Sequence, residues 1–239
     1  AAPEFLGQWH ILMNDGTSLP NGDIIVSYQH TIAVENPKDH TWYTDYAGLA
    51  VSHDGGKTFQ ITGPTWENDS NEDSPYQMWS MQYDNGYVYV VSDRAGRRPG
   101  PMMLFRVPWD KMQDQAAYTY WNGKDWGAKT DAKPIMQGYF GEPSLRKLKD
   151  GTWAMSYADY TGYPKIVTQY VLDPNQGPEG TWSEPKVQLR ADQLPNLYGG
   201  GMWPASTKDN VILIVSTWQT SGTAEDISDR TLVRYDVSH

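Results

Sequence analysis

The chain contains no cysteine, few phenylalanines and no long apolar run. Without cysteine there is no disulfide scaffold, thiol nucleophile or cysteine-ligated metal. No run approaches the roughly 20 apolar residues that cross a bilayer, so we expect no membrane span. Only 4 phenylalanines accompany 11 tryptophans and 16 tyrosines. Because Trp and Tyr join an apolar face to a polar tip, this balance suits packed β-sheets and equally suits a surface that stacks against sugar rings.

Positive charge is also scarce. The chain has 19 Lys and Arg against 29 Asp and Glu, which gives a formal net charge of −10. Nucleic-acid binding depends on clustered Lys and Arg that neutralise phosphates, so this balance argues against a nucleic-acid partner. Arg94, Arg97 and Arg98 form the one notable basic cluster. At 239 residues the chain suits an all-β fold, and we interpret residues 1–239 as a single domain.

The stretch 76–126 reads as a complete four-stranded antiparallel blade of a β-propeller. Its strands are predicted at 76–83, 87–92, 102–107 and 118–121. The first two strands flank Asn85 and Gly86, and Asn-Gly between two strand-like runs predicts a type I′ hairpin, because both central residues of that turn need positive φ.

The same pattern of strand, polar turn and strand recurs along the chain. Equivalent turn positions fall at 22, 86, 151 and 210, at intervals of 64, 65 and 59 residues. A fixed period with one supersecondary unit per repeat is typical of propellers. The sequence therefore predicts four visible blades. The alternative is an irregular β-sandwich with frequent Asn-Gly turns.

Residues 52–59 match the Asp-box pattern, Ser-x-Asp-x-Gly-x-Thr followed by an aromatic. In such a turn Asp54 accepts hydrogen bonds from backbone amides, glycine supplies positive φ, and we expect Phe59 to pack beneath. The box marks propeller blades of the sialidase type and lies on a turn outside the catalytic cleft. Asp54 is therefore excluded from the candidate site.

Several charged side chains are candidates for a site. Asp45 stands among aromatics in a predicted strand, where it is either solvated at the strand end or directed into a cleft. Glu142 stands at the entry to the innermost strand of its repeat. There it either acts as a general acid with a pKa raised by partial burial, or bonds to the backbone of an adjacent blade. Arg97 either clamps a substrate hydroxyl or carboxylate or pairs with Asp93. The acidic segment 67–73 is expected to be a solvated loop. The alternative is a calcium site, although its spacing does not reproduce the EF-hand loop pattern.

An ordered set of motifs resembles one known family. The motifs are TDYAG at 44–48, YVYVV at 87–91, LFRVP at 104–108, AYTYW at 117–121, GEPS at 141–144, GTWSEP at 180–185, YGG at 198–200 and RYDV at 234–237. Together they resemble the secreted β-propellers called domain of unknown function 4185, which are related to the endo-D-arabinofuranases of glycoside hydrolase family 183. The resemblance covers almost the whole chain and implies five blades.

The chain also departs from that family. Nothing matches the Gly-Asp-Thr-aromatic motif of the family's first blade, since residues 22–24 are a poor fit. Trp203 occupies a position where the family is expected to have histidine. If the missing blade supplies one catalytic carboxylate, the chain binds glycan without cutting it.

The resemblance implies a secreted or cell-envelope glycoside hydrolase that cleaves D-arabinan with two carboxylates. The predicted catalytic residues are Glu142 as acid and Asp45 as its partner, with Asp93 and Asp15 as substitutes. The predicted substrate-binding residues are Arg97, Trp79, Tyr139, Tyr198 and Trp203. We expect no cofactor, no metal and a monomer whose partner is a polysaccharide or oligosaccharide.

The alternatives are a non-catalytic glycan-binding propeller and a structural or protein-interaction propeller. Residues 4–9 are expected to complete the last sheet and close the ring.

Overall fold

The chain is all-β. The computed structural model describes residues 10–36, 41–217 and 233–238. It forms two compact units, Ala1–Tyr139 and Phe140–His239, and each is described by itself. The single domain over residues 1–239 therefore stays a prediction. Among the described residues no helix is long and apolar enough to pass through a membrane.

The first unit contains two antiparallel sheets. The first sheet has the order β1-β2-β3-β4, and the second has the order β5-β6-β7-β8-β9 with β10 paired to β7. Their strands are β1 (His10–Ser18), β2 (Ile24–Asn36), β3 (Thr41–Ser52), β4 (Gln60–Glu67), β5 (Met78–Asp84), β6 (Tyr87–Asp93), β7 (Gly100–Pro108), β8 (Thr119–Trp121), β9 (Trp126–Gly127) and β10 (Met136–Gly138).

The second unit also contains two antiparallel sheets. One has the order β11-β12-β13-β14, and the other has the order β15-β16-β17. Their strands are β11 (Ser144–Lys147), β12 (Trp153–Asp159), β13 (Lys165–Tyr170), β14 (Lys186–Arg190), β15 (Leu197–Met202), β16 (Asn210–Thr217) and β17 (Val233–Ser238). The all-β prediction is confirmed. Four-stranded antiparallel sheets are confirmed for two of the four sheets in the described residues, and the other two have six and three strands.

The predicted turns lie between the predicted strands. Asn85 and Gly86 have φ of 47° and 90°, as the type I′ hairpin between β5 and β6 requires. Gly22 and Gly151 have φ of 90° and 87° in the matching turns of two other sheets. The second sheet differs from the prediction because β7 is long enough to pair with β8 near Phe105 and with β10 near Met102.

Aromatic packing forms the core of the first unit. Trp66 of β4 meets Trp79 of β5 edge-on at 4.5 Å between ring centroids and meets Tyr118 at 4.9 Å. Trp79 meets Phe105 at 4.9 Å. Trp66, Trp79 and Phe105 are almost fully buried. Each such side chain contributes about 1.5–3 kcal/mol through burial, so this cluster is a main source of stability in the first unit.

A chain of polar side chains continues from this core toward one end of the two sheets. Gln29 donates to Asn14 at 2.6 Å, and Trp42 donates its indole N–H to Gln29 at 2.8 Å. Asn14 donates to the backbone carbonyl of Gln77, and Thr44 donates to the Gln77 side chain at 3.0 Å. These bonds join β1, β2 and β3 to the segment before β5, so they fix where the loops at this end begin.

The Asp box forms as predicted, except for its aromatic residue. Asp54 accepts from the amides of Lys57 and Thr58 at 3.0 and 2.9 Å and from the Ser52 hydroxyl at 2.8 Å. The Thr58 amide and hydroxyl and the Ser52 hydroxyl lower the pKa of Asp54 to about 2. Phe59 is 40% exposed, so the prediction that it packs beneath the turn is wrong. The turn is held by hydrogen bonds and needs no aromatic support.

The glycines of β15 allow close approach within the second unit. A Cβ on Gly200 would lie 2.9 Å from Cγ2 of Ile166, closer than side chains pack. Ser156 donates to the Gly200 carbonyl at 2.9 Å, and the Met202 amide donates to Ser144 at 3.1 Å. Tight packing therefore accounts for Gly200, whereas a Cβ on Gly199 or Gly201 would meet its nearest neighbour at 3.7 or 3.9 Å. The predicted closing strand at 4–9 lies outside the described residues.

Replacement of Tyr120 by Phe tests the aromatic core. The Trp66 indole N–H donates to the Tyr120 hydroxyl at 3.1 Å, and both side chains are buried. Tyr120→Phe removes this acceptor and leaves the buried Trp66 N–H without a hydrogen-bond partner. The free energy of unfolding, measured by urea titration, should therefore fall by about 1–3 kcal/mol. The exposed Tyr163 supplies the control, because Tyr163→Phe should leave stability unchanged. Equal stability of parent and Tyr120→Phe would contradict this account.

Candidate functional site

A cavity of about 350 Å³ lies in the first unit. It is placed where β3 and β7 begin and where β4, β6 and β10 end. Loops carried on a rigid sheet are the usual place for binding groups. The cavity is lined by Tyr43, Ser70, Asn71, Glu72, Arg97, Arg98, Pro99 and Tyr139. We call this space the loop cavity.

The acidic segment between β4 and β5 forms a compact turn. It is largely exposed to solvent, as predicted, except that Glu72 is buried. The side chain of Asp69 accepts from the amides of Asn71 and Asp73 at 2.8 and 3.0 Å. The side chain of Asn68 accepts from the amides of Asp69 and Ser74 at 3.0 and 3.2 Å. Short Asn and Asp side chains bond readily to nearby backbone in this way. The turn brings the next side chain, that of Glu72, inward.

Glu72 is the buried carboxylate of this turn, with only 8% of its surface exposed. Its Oε2 accepts from the Thr44 amide at 3.2 Å and from Asn68 at 2.7 Å, and it lies 3.9 Å from Nη1 of Arg98. Burial raises the pKa of Glu72, while the Thr44 amide and the Arg98 guanidinium act in the opposite direction. A raised carboxyl pKa next to a cavity is typical of functional sites.

The arginine cluster supports the walls of the loop cavity. Arg98 donates to the backbone carbonyls of Trp42 and Ala95 at 2.9 and 2.8 Å, and its guanidinium lies 4.9 Å from the Tyr43 ring centroid. Arg94 donates to the backbone carbonyls of Glu72 and Pro99 at 3.0 and 2.7 Å. Arg98 therefore connects the start of β3 to the loop before β7. Arg94 connects the loop before β5 to that same loop.

Arg97 and Tyr139 are predicted binding residues that the structure brings together in the loop cavity. Arg97 has a φ of 53°, and its guanidinium lies 5.3 Å from the ring centroid of Trp42. Positive φ in a non-glycine residue is uncommon and is held in place by surrounding contacts. The predicted contact of both side chains with substrate stays a prediction.

Asp45 is paired with a histidine. Its Oδ1 lies 2.7 Å from Nδ1 of His30, and its side chain is 35% exposed. The His30 ring stacks on Tyr46 at 4.7 Å with an interplanar angle of 9°. Asp45 thus lies within β3, is partly accessible, and is held in one orientation by His30.

Asp93 and Asp15 occupy structural positions. Asp93 is 1% exposed at the end of β6, and its backbone carbonyl accepts from Gln77 at 3.1 Å. Asp15 accepts from the Ser80 hydroxyl and from the Met81 amide, which joins β1 to β5. Neither carboxylate lines the loop cavity.

Trp79 lies in the core, which contradicts its predicted role in stacking against sugar. Its indole is 1% exposed, donates to the Tyr76 carbonyl at 2.8 Å and is enclosed by Trp66 and Phe105. Stacking requires an accessible ring face, and this ring has none. The excess of aromatic residues therefore serves packing at this position.

Glu142, Tyr198 and Trp203 belong to the second unit. Glu142 is half-buried two residues before β11, at the predicted strand entry. The Tyr198 carbonyl accepts from the Tyr160 hydroxyl at 3.1 Å, and Trp203 is 47% exposed. Because Asp45 lies in the first unit, its pairing with Glu142 stays a prediction.

Glu72, Tyr43 and His30 are site residues that no sequence motif indicates. Glu72 was grouped with six polar neighbours, and its burial depends on Thr44 of a distant strand. The sequence carries one local signal, because Asn68, Asp69 and Asn71 are turn-forming residues. Within the described part of the chain, no group of three or more His, Asp or Glu side chains is placed to hold a metal ion.

Comparison with known proteins gives a family and two named fungal relatives. A family model described as "Domain of unknown function (DUF4185)" matches residues 2–238. "Notoamide biosynthesis cluster protein J'" of Aspergillus versicolor is 44% identical over 227 residues, which cover 91% of this chain and 60% of the relative. "Notoamide biosynthesis cluster protein J" of Aspergillus sp. (strain MF297-2) is 42% identical over 236 residues, which cover 93% and 61%.

A bacterial relative extends this comparison. The "Uncharacterized 35.9 kDa protein in asd 3'region" of Mycolicibacterium smegmatis is 30% identical over 184 residues, which cover 71% of this chain and 51% of the relative. The chain thus spans about half to three fifths of the length of the relatives it matches.

Solved structures resemble the fold. A glycoside hydrolase family 43 arabinoxylan arabinofuranohydrolase from Bacillus subtilis matches with a TM-score of 0.55 at 10% identity, covering 93% of this chain and 49% of that one. The GH32 β-fructofuranosidase of Bombyx mori matches with a TM-score of 0.54 at 14% identity, covering 92% of this chain and 45% of that one. An α-L-arabinofuranosidase of Fusarium graminearum matches with a TM-score of 0.51 at 13% identity, covering 90% of this chain and 58% of that one. The fold is therefore similar to five-bladed glycoside hydrolase propellers, and the blade number of this chain stays a prediction.

The burial of Glu72 predicts how stability depends on pH. Because its pKa is raised above the ordinary 4.5, the folded chain binds more protons than the unfolded chain from pH 4.5 up to the raised value, and the Glu72 contribution to stability falls as pH rises through that window. Glu72→Gln removes this contribution. In urea titrations the stability of Glu72→Gln relative to the parent should therefore increase from pH 4.5 to 7.5.

The exposed Glu67 provides the control, because Glu67→Gln removes one carboxylate from the same stretch without changing a buried group. A stability difference between Glu72→Gln and the parent that is constant across this pH range would contradict the effect of burial.

Proposed function

The chain belongs to the family described as "Domain of unknown function (DUF4185)", and we propose that it is a glycoside hydrolase that cleaves a furanose-containing cell-envelope polysaccharide, most specifically D-arabinan. The proposal includes a secreted or envelope-associated location, where such a polymer is found. Because fold alone does not determine function, the proposal depends on the site.

The observation that carries the proposal is the chemistry of the loop cavity. Its volume of about 350 Å³ falls in the range of small-ligand sites. Two tyrosine rings, Tyr43 and Tyr139, provide apolar surface. Ser70, Asn71 and Glu72 provide groups that bond to hydroxyls. Apolar ring faces and hydroxyl partners in one cavity match the two kinds of surface that a sugar presents.

The comparisons support a furanose as the sugar. The names of the Bacillus subtilis and Fusarium graminearum enzymes specify arabinofuranosyl substrates, and that of the Bombyx mori enzyme specifies a fructofuranoside. These names describe the other proteins, and they guide the choice of substrate for the test.

The proposed mechanism uses two carboxyl groups. Glu142 donates a proton to the leaving glycosidic oxygen, and Asp45 acts as base or nucleophile at the anomeric carbon. The structure favours Asp45 over the substitutes, because Asp45 is 35% exposed whereas Asp93 is 1% exposed and Asp15 is bonded to Ser80 and Met81. Arg97 and Tyr139 orient the sugar from the cavity wall.

A second candidate function is glycan binding without turnover. Among the described residues that line the loop cavity, Glu72 is the one carboxylic acid, whereas hydrolysis takes two. The names of the Aspergillus relatives refer to notoamide biosynthesis, which makes a notoamide a small-molecule ligand to compare with the glycans.

Release of soluble oligosaccharide from arabinogalactan and lipoarabinomannan tests the hydrolase proposal, with a sialic-acid substrate and a notoamide as comparison compounds. We expect products from the two arabinans alone. Glu142→Gln and Asp45→Asn should each lower the rate by about 100-fold or more, because each removes a proton-transfer or nucleophilic group.

The exposed Glu184 lies in the same unit as Glu142, and Glu184→Gln should keep the parent rate. Unchanged activity of Glu142→Gln or Asp45→Asn would overturn that residue's assignment. Binding of arabinan by the parent without any release of product would favour the second candidate.

A further inference from the structure

Glu72 presents one fixed and one available oxygen to the loop cavity. Its Oε2 accepts both the Thr44 amide and the Asn68 side-chain amide. Within the described residues, no hydrogen bond ends on Oε1. The residue is 8% exposed and lines the cavity. An ionised carboxylate only accepts hydrogen bonds, so a ligand that meets Oε1 must donate one.

Two of the positive charges near Glu72, those of Arg94 and Arg98, are used by the protein itself, whereas Arg97 also lines the cavity. Arg98 donates to two backbone carbonyls and lies over the Tyr43 ring. Arg94 donates to two other carbonyls and is paired with Asp73. These contacts hold the arginines in the cavity wall. A ligand carboxylate placed at Oε1 would therefore meet the like charge of Glu72 at a point where Arg94 and Arg98 are already bonded, which costs free energy.

The backbone of Glu72 is held in an unusual conformation. Its φ is 59°, in the left-handed region that non-glycine residues rarely adopt. The Glu72 amide donates to the Asp69 carbonyl at 3.0 Å, and its carbonyl accepts from Arg94 at 3.0 Å. Such conformations persist where the surrounding contacts hold them, and they cluster at ligand sites. In this conformation the Glu72 side chain is buried and lines the loop cavity.

From this geometry we propose that Glu72 is the hydroxyl-binding carboxylate of the loop cavity, and that the cavity selects a neutral sugar and rejects a sugar acid. The inference relies on the proposed function only for the ligand class, a carbohydrate. It assigns Glu72 a binding role, separate from the catalytic roles proposed for Glu142 and Asp45. A hydrogen bond from a sugar hydroxyl to a carboxylate is charge-assisted and therefore stronger than a neutral one.

Replacement of Glu72 by Gln puts a hydrogen-bond donor where Oε1, an acceptor, stands in the parent. The Thr44 and Asn68 donors hold the carbonyl oxygen of the new side chain where Oε2 was. The amide NH₂ then occupies the place of Oε1 and donates instead of accepting. The side chain keeps its size and loses its charge. The variant thus disfavours a ligand hydroxyl held as a donor and favours a ligand carboxylate.

Isothermal titration calorimetry with two probes tests the proposal. The probes are a neutral arabinofuranose oligosaccharide and an oligogalacturonate of the same length. The parent should bind the neutral probe and bind the acidic one more weakly. Glu72→Gln should lower affinity for the neutral probe by about tenfold to a hundredfold, which is the usual effect of losing a hydrogen bond to a charged group. It should also improve binding of the acidic probe.

The control variant is Glu67→Gln, which removes an exposed carboxylate from the end of β4 and should bind both probes as the parent does. Thermal melting checks that each variant is folded. If Glu72→Gln does not fold, Glu72→Asp replaces it, because the shorter side chain withdraws the acceptor and should weaken binding of the neutral probe.

Three results would overturn the inference: unchanged affinities in folded Glu72→Gln, preference of the parent for the acidic probe, or no binding of either probe. Selective binding of the neutral probe that depends on Glu72, without any arabinan hydrolysis, would support the inference while the hydrolase proposal fails. Hydrolysis that does not depend on Glu72 would leave the hydrolase proposal intact and overturn this one.

Discussion

The edge-on contact between Trp66 and Trp79 fixes β4 of the first sheet against β5 of the second. Phe105 of β7 packs against Trp79. The side chains of Trp66, Trp79 and Phe105 are all buried. The connection between β4 and β5 begins and ends at this fixed contact, so the loop 68–77 spans a set distance. The loop cavity depends on this constraint, because the turn that carries Glu72 lies within that loop.

Polar contacts continue from this core to the cavity in a stepwise order. Gln77, next to the start of β5, bonds to Thr44, and the Thr44 amide bonds to Glu72. Arg98 then joins Glu72 and the Trp42 carbonyl to the loop before β7. In a buried setting each of these groups needs its partner, since an unsatisfied polar group costs about 1–3 kcal/mol. The cavity wall is therefore a preformed and rigid arrangement, which suits selective binding.

The sequence predicts the sheets well because their signals are local. Asn85 and Gly86 predict a turn whose φ values the structure shows, and the motif around Asp54 predicts a hydrogen-bonded turn that forms. Site residues are harder to predict, because their environment comes from distant strands. From sequence alone Trp79 resembles a stacking residue, but in the fold Trp66 of β4 and Phe105 of β7 enclose it. Glu72 resembles a solvated acid, but in the fold it accepts a hydrogen bond from the Thr44 amide of β3.

The central claim is that the loop cavity holds a neutral sugar through Glu72. A crystal structure of the protein with a bound arabinofuranose oligosaccharide tests this claim most directly. We expect a sugar ring between Tyr43 and Tyr139, with one hydroxyl within about 2.5–3.0 Å of Oε1 of Glu72. A sugar bound elsewhere with the loop cavity empty, or a sugar in the cavity without a hydroxyl in contact with Glu72, would contradict it.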